Sequence, residues 1–254
     1  MEIDRRVFLA TLGGAAAIEA MPSEALADAL EHHMMDAIDQ QAAANNQLAV
    51  RRGTGSLFSR SGEPRPLEPM PEKPTLVDFF ERRFAPATHV LQSATDALKK
   101  GEPEERVLGC LLHDVVLNLI KVDHGWWGAQ LVEPYVSEKV SWAIRYHQAL
   151  RFYPDPSVGY EYPELYNRLF GKDYVPLPYI KATYEAARKL RWDMEARMIT
   201  VHDLYAFDPD MKVSLDPFID IIGRHFKQPK EGLGFDNSKV AHMWRSLIYP
   251  DNPL

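Results

Sequence analysis

The sequence lacks several features that define common classes of protein. Its only cysteine is Cys110, so an internal disulfide is excluded, and this thiol in an apolar segment is expected to pack as a small hydrophobe. The formal net charge is −7 and no lysine and arginine run appears, which argues against nucleic acid as a partner. There is no glycine-rich phosphate-binding loop and no apolar run long enough to span a bilayer as a stable helix.

Alternating strand patterns are also absent, and helical periodicity dominates. The sequence predicts a helix from an N-cap at Thr75 to Arg83, with a further helix starting near Pro86. Later helices are predicted over 104–121, 124–132, 137–152 and 178–200, with proline-rich breaks at 154–156 and 176–178. The predicted fold class is therefore an all-α helical bundle.

The chain has 254 residues, of which 46% are hydrophobic and 26% are charged. This length suffices for one core of about 150 to 180 residues with extensions on both sides. We expect a helical and then irregular arm over 28–74, a metal-binding helical domain over 75–203, and a C-terminal extension over 204–254 with an irregular tail from Leu247.

The first 27 residues resemble a twin-arginine signal. Arg5 and Arg6 precede a short apolar run, and Ala25 to Ala27 is an A-x-A cleavage candidate. This pattern predicts periplasmic localisation by export of the folded protein. The alternative is a cytoplasmic protein in which these residues form an amphipathic N-terminal helix that packs in a dimer. The sequence allows a homo-oligomer but does not decide the oligomeric state.

The most informative feature is a series of six potential metal ligands. Neutral imidazole nitrogens and carboxylate oxygens suit Fe, Mn, Zn or Mg, and six ligands are more than one ion needs once positions are left for substrate. The sequence therefore predicts a two-metal enzyme. The six residues are His89, His113, Asp114, His124, His147 and Asp193.

The adjacent pair His113 and Asp114 lies within an otherwise apolar stretch. Burying a carboxylate there is costly unless it is paired or bound to a metal ion. An ion pair on a helix, or a core histidine with satisfied hydrogen bonds, is the alternative interpretation of this dipeptide.

The surroundings of the other histidines add detail. Gly125 and Gly128 follow His124 and permit close approach of the backbone to a neighbour or a ligand. Arg151 comes one helical turn after His147, so it can face the same cavity.

Asp193 has an alternative explanation, since Lys189 and Arg197 lie four residues before and after it and could form a surface ion-pair ladder. Asp123 and Asp203 are the fallback ligands. The remaining histidines are expected to be solvated or to cap helices: His32, His33, His202, His225 and His242.

The ligand order resembles that of the HD-domain mixed-valent diiron oxygenases, which include myo-inositol oxygenase and, more similar here, the bacterial phosphonate-cleaving oxygenases. The resemblance covers roughly 75–200 and rests on three segments: Thr88-His89-Val90-Leu91-Gln92-Ser93, Asp123-His124-Gly125-Trp126-Trp127-Gly128-Ala129 and Arg191-Trp192-Asp193. It implies an HD-type bundle with metal ligands that project inward.

The resemblance also implies roles for single residues. Asp114 would bridge two iron ions, and Arg151 would bind an anionic group of the substrate. One iron would be held by His89, His113 and Asp193, and the other by His124 and His147. One departure is Leu190, which stands where the phosphonate enzymes carry a substrate-binding arginine, and Arg191 beside it points about 100° away on a helix.

Two mechanisms fit this set of residues. An oxygenase would use two Fe ions and O2 to oxidise or cleave a small hydroxylated polar substrate, whereas a binuclear HD-type phosphohydrolase would use Mn, Zn or Mg to attack a phosphoryl group. The resemblance favours the oxygenase. A metal-free scaffold protein is a third interpretation. The aromatic residues near the ligands, expected either to line the pocket or to fill the core, are Trp126, Trp127, Trp142, Tyr146, Tyr153 and Trp192.

Overall fold

The structure is a computed structural model that describes residues 67–84, 87–204, 206 and 210–250. These residues form α-helices, two short 3-10 turns and no β-strand, which confirms the all-α prediction. The helices are α1 (Leu76–Arg82), α2 (Ala87–Lys99), α3 (Glu104–Leu112), α4 (His124–Val132), α5 (Glu138–Arg151), α6 (Glu164–Phe170), α7 (Pro178–Ala187), α8 (Asp193–Asp203), α9 (Ile219–His225) and α10 (Ala241–Ile248).

Helix α1 begins as the sequence predicts. The Thr75 hydroxyl accepts a hydrogen bond from the Asp78 N–H, and the Asp78 carboxylate accepts one from the Thr75 N–H at 2.8 Å. This reciprocal capping box satisfies two backbone donors that the first turn of a helix leaves unpaired. The expected N-cap at Thr75 is confirmed, whereas Pro86 lies outside the described residues.

Two of the predicted helices are shorter than the periodicity suggested. Helix α3 ends at Leu112, and 113–119 continues as successive turns, so the helix predicted over 104–121 was too long. The helix predicted over 178–200 is divided into α7 and α8 by turns at 188–192. Arg188 spans this break, since its guanidinium lies 3.2 Å from Asp155 and 3.0 Å from Asp193. No glycine or proline marks either break, so local sequence carried no signal of it.

Helix α5 is the centre of the bundle and packs against α3, α4, α7 and α8, while α2 packs against α3 and α8. The core between these helices is aliphatic, and each fully buried leucine or isoleucine contributes about 1.5–3 kcal/mol relative to an exposed one. Its fully buried members include Leu108, Leu111, Leu112, Ile144, Leu150 and Ile199.

The C-terminal extension is more ordered than predicted, since it contains α9 and α10. Leu247 and Ile248, expected to begin an irregular tail, form the last turn of α10. Trp244 of this helix is fully buried, packs edge-on against Phe79 at 4.7 Å and donates from its indole to the Leu131 carbonyl oxygen. Burial of a large aromatic surface stabilises the helix, and the proline and glycine content of the region hid this.

Helix α6 belongs to a second compact unit, of which 163–175 is described. Within it Phe170 contacts Tyr166 and stacks on Tyr174, with ring centroids 5.7 and 4.8 Å apart. None of the described helices has the length and apolarity needed to cross a membrane. The predicted signal segment over 1–27 and most of the arm over 28–74 fall outside the described residues and stay predictions.

Candidate metal centre

Five of the six predicted ligands converge at one buried place. The side chains form two groups, and within each group the potential ligand atoms all lie within 4.8 Å of one another. The first ligand group is His89, His113, Asp114 and Asp203, and the second is Asp114, His124 and His147. Asp114 belongs to both groups, and His113, which directly precedes it in the sequence, belongs to the first.

The two carboxylate oxygens of Asp114 face different histidines. Oδ1 lies 3.0 Å from Nε2 of His124 and 3.4 Å from Nε2 of His147. Oδ2 lies 3.3 Å from Nε2 of His89 and 3.5 Å from Nε2 of His113. Two ligands about 2.1 Å from a shared ion are about 3.0–3.4 Å apart, and the observed separations of 3.0–3.5 Å are close to this spacing. Asp114 therefore has the orientation of a carboxylate shared between two ion positions.

All four imidazoles are held by the nitrogen that faces away from the centre. Nδ1 of His113, His124 and His147 lies 2.7–2.9 Å from the carbonyl oxygen three residues earlier in each case, and Nδ1 of His89 lies 3.2 Å from the Ala206 carbonyl oxygen. A carbonyl only accepts, so each Nδ1 carries a proton and donates, and Nε2 is the nitrogen directed at the cluster, where it has a lone pair whenever the ring is neutral. Such a contact fixes both the tautomer and the ring orientation of a metal-binding histidine.

The polar atoms of the centre are not satisfied by one another. Nε2 of His113, Oδ1 of Asp114 and Oδ1 of Asp203 are buried and make no hydrogen bond of acceptable geometry. Nε2 of His124 and Nε2 of His147 lie 3.2 Å apart, so two lone pairs face each other when both rings carry their proton on Nδ1. A cation between these atoms would remove the cost of leaving them unpaired. The residues present therefore fit a dinuclear metal site.

Local structure places each ligand. His89 comes from the first turns of α2, and His113 is the C-cap of α3, followed by Asp114 in the turn. His124 begins α4, directly after Asp123, whose backbone has a left-handed φ of 55°. This conformation is uncommon for a residue other than glycine and is a form of strain that accumulates at functional sites. His147 projects from the middle of α5.

The structure places Asp203 in the centre, where the sequence led us to expect Asp193. Oδ1 of Asp203 lies 2.8 Å from Nε2 of His89 and 3.5 Å from Nε2 of His113. Asp193 instead forms an ion pair with Arg188 at 3.0 Å and belongs to neither ligand group. The two aspartates stand at opposite ends of α8, about 15 Å apart along its axis at 1.5 Å per residue, so only one can reach the centre. Asp123, the other fallback ligand, also lies outside both groups.

Arg151 lies at the edge of the centre, as its position one turn after His147 predicts. Its Nη2 is 2.8 Å from Oδ2 of Asp203, and its side chain is 13% exposed. The same Asp203 carboxylate thus directs one oxygen toward the histidines and the other toward Arg151. Arg151 therefore orients a candidate ligand and also brings positive charge to the cluster.

The charges of the centre shift the pKa values of its members. Burial lowers the pKa of His89, but the close carboxylates of Asp114 and Asp203 outweigh it and raise that pKa to about 10. Burial raises the pKa of Asp114, but the surrounding histidines hold it well below the ordinary value, and the neighbouring Arg151 does the same for Asp203. Burial lowers the pKa of His147 to about 4. The carboxylates are thus ionised and His147 is neutral at pH 7, which are the forms that bind metal ions, whereas His89 carries a proton that a metal ion would displace.

Some of the aromatic residues line an open cleft, and no member of the two ligand groups is among its lining residues. The cleft has a volume of about 500 Å³, lies between α4, α5 and α7, and is lined by Trp126, Trp127, Tyr146 and Tyr179 among others. The remaining aromatics pack on each other: Trp142 contacts Tyr146 and Trp192, and Tyr153 stacks on Tyr184.

Of the other histidines, His202 departs most from expectation. It is fully buried between two carboxylates, Asp96 at 2.7 Å and Glu102 at 3.3 Å, and is not solvated. His225 lies 2.7 Å from Glu104, and His242 is exposed. His32 and His33 lie outside the described residues.

Comparison with known proteins supports a relation to oxygenases. The chain is 30% identical over 126 residues to [1-hydroxy-2-(trimethylamino)ethyl]phosphonate dioxygenase (glycine-betaine-forming) from Leisingera caerulea, a match that covers 45% of this chain and 56% of the relative. The chain thus spans only a little over half the length of this relative. No family model matches the sequence. The chain is all-α and contains a cluster of His and Asp side chains that could hold metal ions. Over part of its length it is similar to a dioxygenase that acts on a small phosphonate.

Proposed function

We propose that this protein is a diiron oxygenase that oxidises or cleaves a small hydroxylated polar substrate with O2. The observation that carries the proposal is the orientation of Asp114, whose two oxygens each face a separate pair of histidines. The similarity to a phosphonate dioxygenase supports the same class of reaction.

The first ion would be held by His89, His113 and Asp203, and the second by His124 and His147, with Asp114 shared between them. Counted with Asp114, these are four and three protein ligands. Both numbers fall short of the six that iron commonly accepts, which leaves positions for substrate and O2. Iron, when bound, supplies the change of oxidation state that O2 activation needs and that Zn and Mg cannot provide.

The residues around the ligands would position the substrate. Arg151 brings a planar guanidinium to the edge of the cluster, which suits a carboxylate, phosphonate or phosphate group. The aliphatic residues beside the ligands, such as Leu112 and Ile144, are fully buried and exclude bulk water from this side of the centre. The substrate class that fits is a small anion with a hydroxyl group beside the bond that is cut.

One residue that the resemblance associates with phosphonate binding is missing from this chain. The phosphonate oxygenases carry a substrate-binding arginine three residues before the last aspartate ligand. With Asp203 in that role, the position is occupied by Thr200, which is buried, and not by an arginine. Arg191 does not compensate, because its guanidinium lies 3.8 Å over the Trp192 ring and 3.4 Å from Glu138. Arg151 is therefore the cation to which we assign anion recognition.

The test begins with protein purified without oxygen and loaded with Fe(II). Elemental analysis and Mössbauer or EPR spectroscopy should find two iron ions per chain that interact magnetically. Oxygen uptake and phosphate release are then followed with hydroxylated phosphonates, polyols and phosphate esters. Oxygen-dependent turnover of a hydroxylated substrate supports the proposal. Equal phosphate release from esters without oxygen would replace it with the binuclear HD-type phosphohydrolase.

A further inference from the structure

A network of charged side chains outside the centre joins the three helices that carry the first ligand group. Helices α2, α3 and α8 supply His89, His113 and Asp203, and they pack against one another. We use the name charged network for five residues on these helices and on the loop between α2 and α3. They are Asp96, Glu102, Arg106, Glu195 and His202.

His202 is the buried centre of the charged network. Its Nδ1 lies 2.7 Å from Oδ2 of Asp96 on α2, and its Nε2 lies 3.3 Å from Oε1 of Glu102 in the following loop. The imidazole is completely buried, whereas both carboxylates retain some exposure. One ring therefore holds the end of α8 against α2 through Asp96 and against the following loop through Glu102, and hydrogen bonds to ionised carboxylates are the stronger kind.

Arg106 closes the network from the side of α3. Its Nε and Nη2 donate to the two oxygens of Glu195 on α8, at 3.0 and 2.9 Å, which is a bidentate contact. Its Nη1 donates to Glu102, the same carboxylate that faces His202. Each of the three helices is therefore tied to the other two through this one set of groups.

His202 directly precedes Asp203, so the charged network fixes the helical turn that carries this candidate ligand. Asp203 is the last residue of α8, and terminal helical turns fray unless they are fixed. His202 fixes this turn to α2, which is also the helix that carries His89. Asp203 and His89 are the pair whose ligand atoms lie only 2.8 Å apart. A binding geometry of this kind has to be held within about 0.5 Å to function.

We infer that His202 is a positioning residue that selectively sets the affinity of the first ligand group for its metal ion. The inference rests on the proposed dinuclear function. The hydrogen-bond partners of His202, Asp96 and Glu102, belong to neither ligand group, and His124 and His147 come from α4 and α5, outside the charged network. Loss of its hydrogen bonds should loosen one ion and leave the other.

The experiment compares His202→Gln and His202→Phe with the wild-type chain by anaerobic titration with Fe(II) alone. Gln keeps a donor for one carboxylate, whereas Phe keeps the ring shape and loses both hydrogen bonds. We expect the first ion to bind about 10- to 100-fold more weakly in the Phe variant, with Gln between it and the wild type. His225→Gln is the matched control, since it also removes a histidine–carboxylate contact, to Glu104, but outside the network. This control should bind both ions as the wild type does.

Single-group backgrounds identify which ion responds. His147→Ala retains the first ligand group, and there His202→Phe should weaken the one remaining ion. Asp203→Ala retains the second group, and there His202→Phe should have no effect on binding. Equal weakening in both backgrounds would mean that His202 serves only general stability and would overturn the inference, as would no weakening in either.

If His202→Phe fails to fold, Asp96→Ala provides the same test, and Asp96→Asn, which keeps an acceptor, should restore binding. Failure of the wild-type chain to bind two ions would instead contradict the proposed function.

Discussion

Gly125 lies directly against the carbonyl oxygen of Ile144, so closely that a Cβ atom at position 125 would be 2.7 Å from that oxygen. The same Cβ would be 3.1 Å from Cε1 and Nδ1 of His147. The Ile144 oxygen is the acceptor that holds Nδ1 of His147 at 2.7 Å. The contact between α4 and α5 therefore depends on a glycine at the point where His147 is oriented.

We predict that Gly125→Ala disturbs the second ligand group. The added methyl has to displace the Ile144 carbonyl or the His147 ring, and overpacking of this kind costs about 1–3 kcal/mol. Metal analysis should find that the second ion is lost or bound weakly, with the first retained. Gly128→Ala is the matched control, since its Cβ would meet nothing nearer than 3.6 Å. The control should keep two ions and lose no stability. Two ions bound with wild-type affinity by Gly125→Ala would contradict the prediction.

Asp114→Ala should release both metal ions. Its two oxygens face the two ligand groups separately, so its removal takes one ligand from each. His147→Ala, by comparison, should release only the second ion. Elemental analysis of the two purified variants distinguishes the cases, and full metal retention by Asp114→Ala would exclude a bridging role. Circular dichroism serves as the check that both variants remain helical.

A pair of aspartates on one helix tests whether Asp203 or Asp193 belongs to the first ligand group. Asp203→Ala should remove the first ion, because Asp203 completes that ligand group. Asp193→Ala should keep both ions and lose only a partly exposed ion pair with Arg188, a change of about 0–1 kcal/mol. Metal loss in Asp193→Ala with retention in Asp203→Ala would reinstate the assignment made from the sequence.

The helical class and the convergence of five candidate ligands could be predicted from the sequence, because apolar periodicity indicates helices and His and Asp residues are typical metal ligands. A His-Asp pair within apolar residues has to be satisfied internally, and a glycine beside His124 signals close packing. The end of α3 before His113 and the break between α7 and α8 carry no proline or glycine signal and follow from tertiary contacts. Local pattern could not supply them.

The choice between Asp193 and Asp203 shows the same limit. Both aspartates lie on α8, and each follows a residue that is compatible with a metal ligand, Trp192 before Asp193 and His202 before Asp203. Only the packing of the helix decides which aspartate lies in the centre. One signal was available: Asp203 follows His202, and a second His-Asp dipeptide is unusual in a helix with apolar neighbours. The burial of His202 against acidic groups from distant segments could not be inferred from a single sequence.

Export is a prediction that concerns residues outside the described part of the chain. Replacing Arg5 and Arg6 by Lys should retain the protein in the cytoplasm, because the twin-arginine pair is recognised as a signal and not as positive charge. Cell fractionation of the two forms is the measurement, and N-terminal sequencing of the exported form should show cleavage after Ala27. Unchanged distribution would mean that this segment is an ordinary N-terminal helix.

Arg151→Ala should weaken substrate binding while both metal ions remain. A hydrogen bond to a charged group contributes about 1.5–3 kcal/mol, so the loss predicts a KM about 10- to 150-fold higher for an anionic substrate. Asp203 keeps its metal partner when the centre is loaded, which is why the metal content should not change. Arg145→Ala is the control on the same helix, since Arg145 lines the aromatic cleft and lies in neither ligand group. Arg151→Lys retains the charge without the planar fork and should recover only part of the affinity. Wild-type KM in Arg151→Ala would show that this guanidinium only orients Asp203.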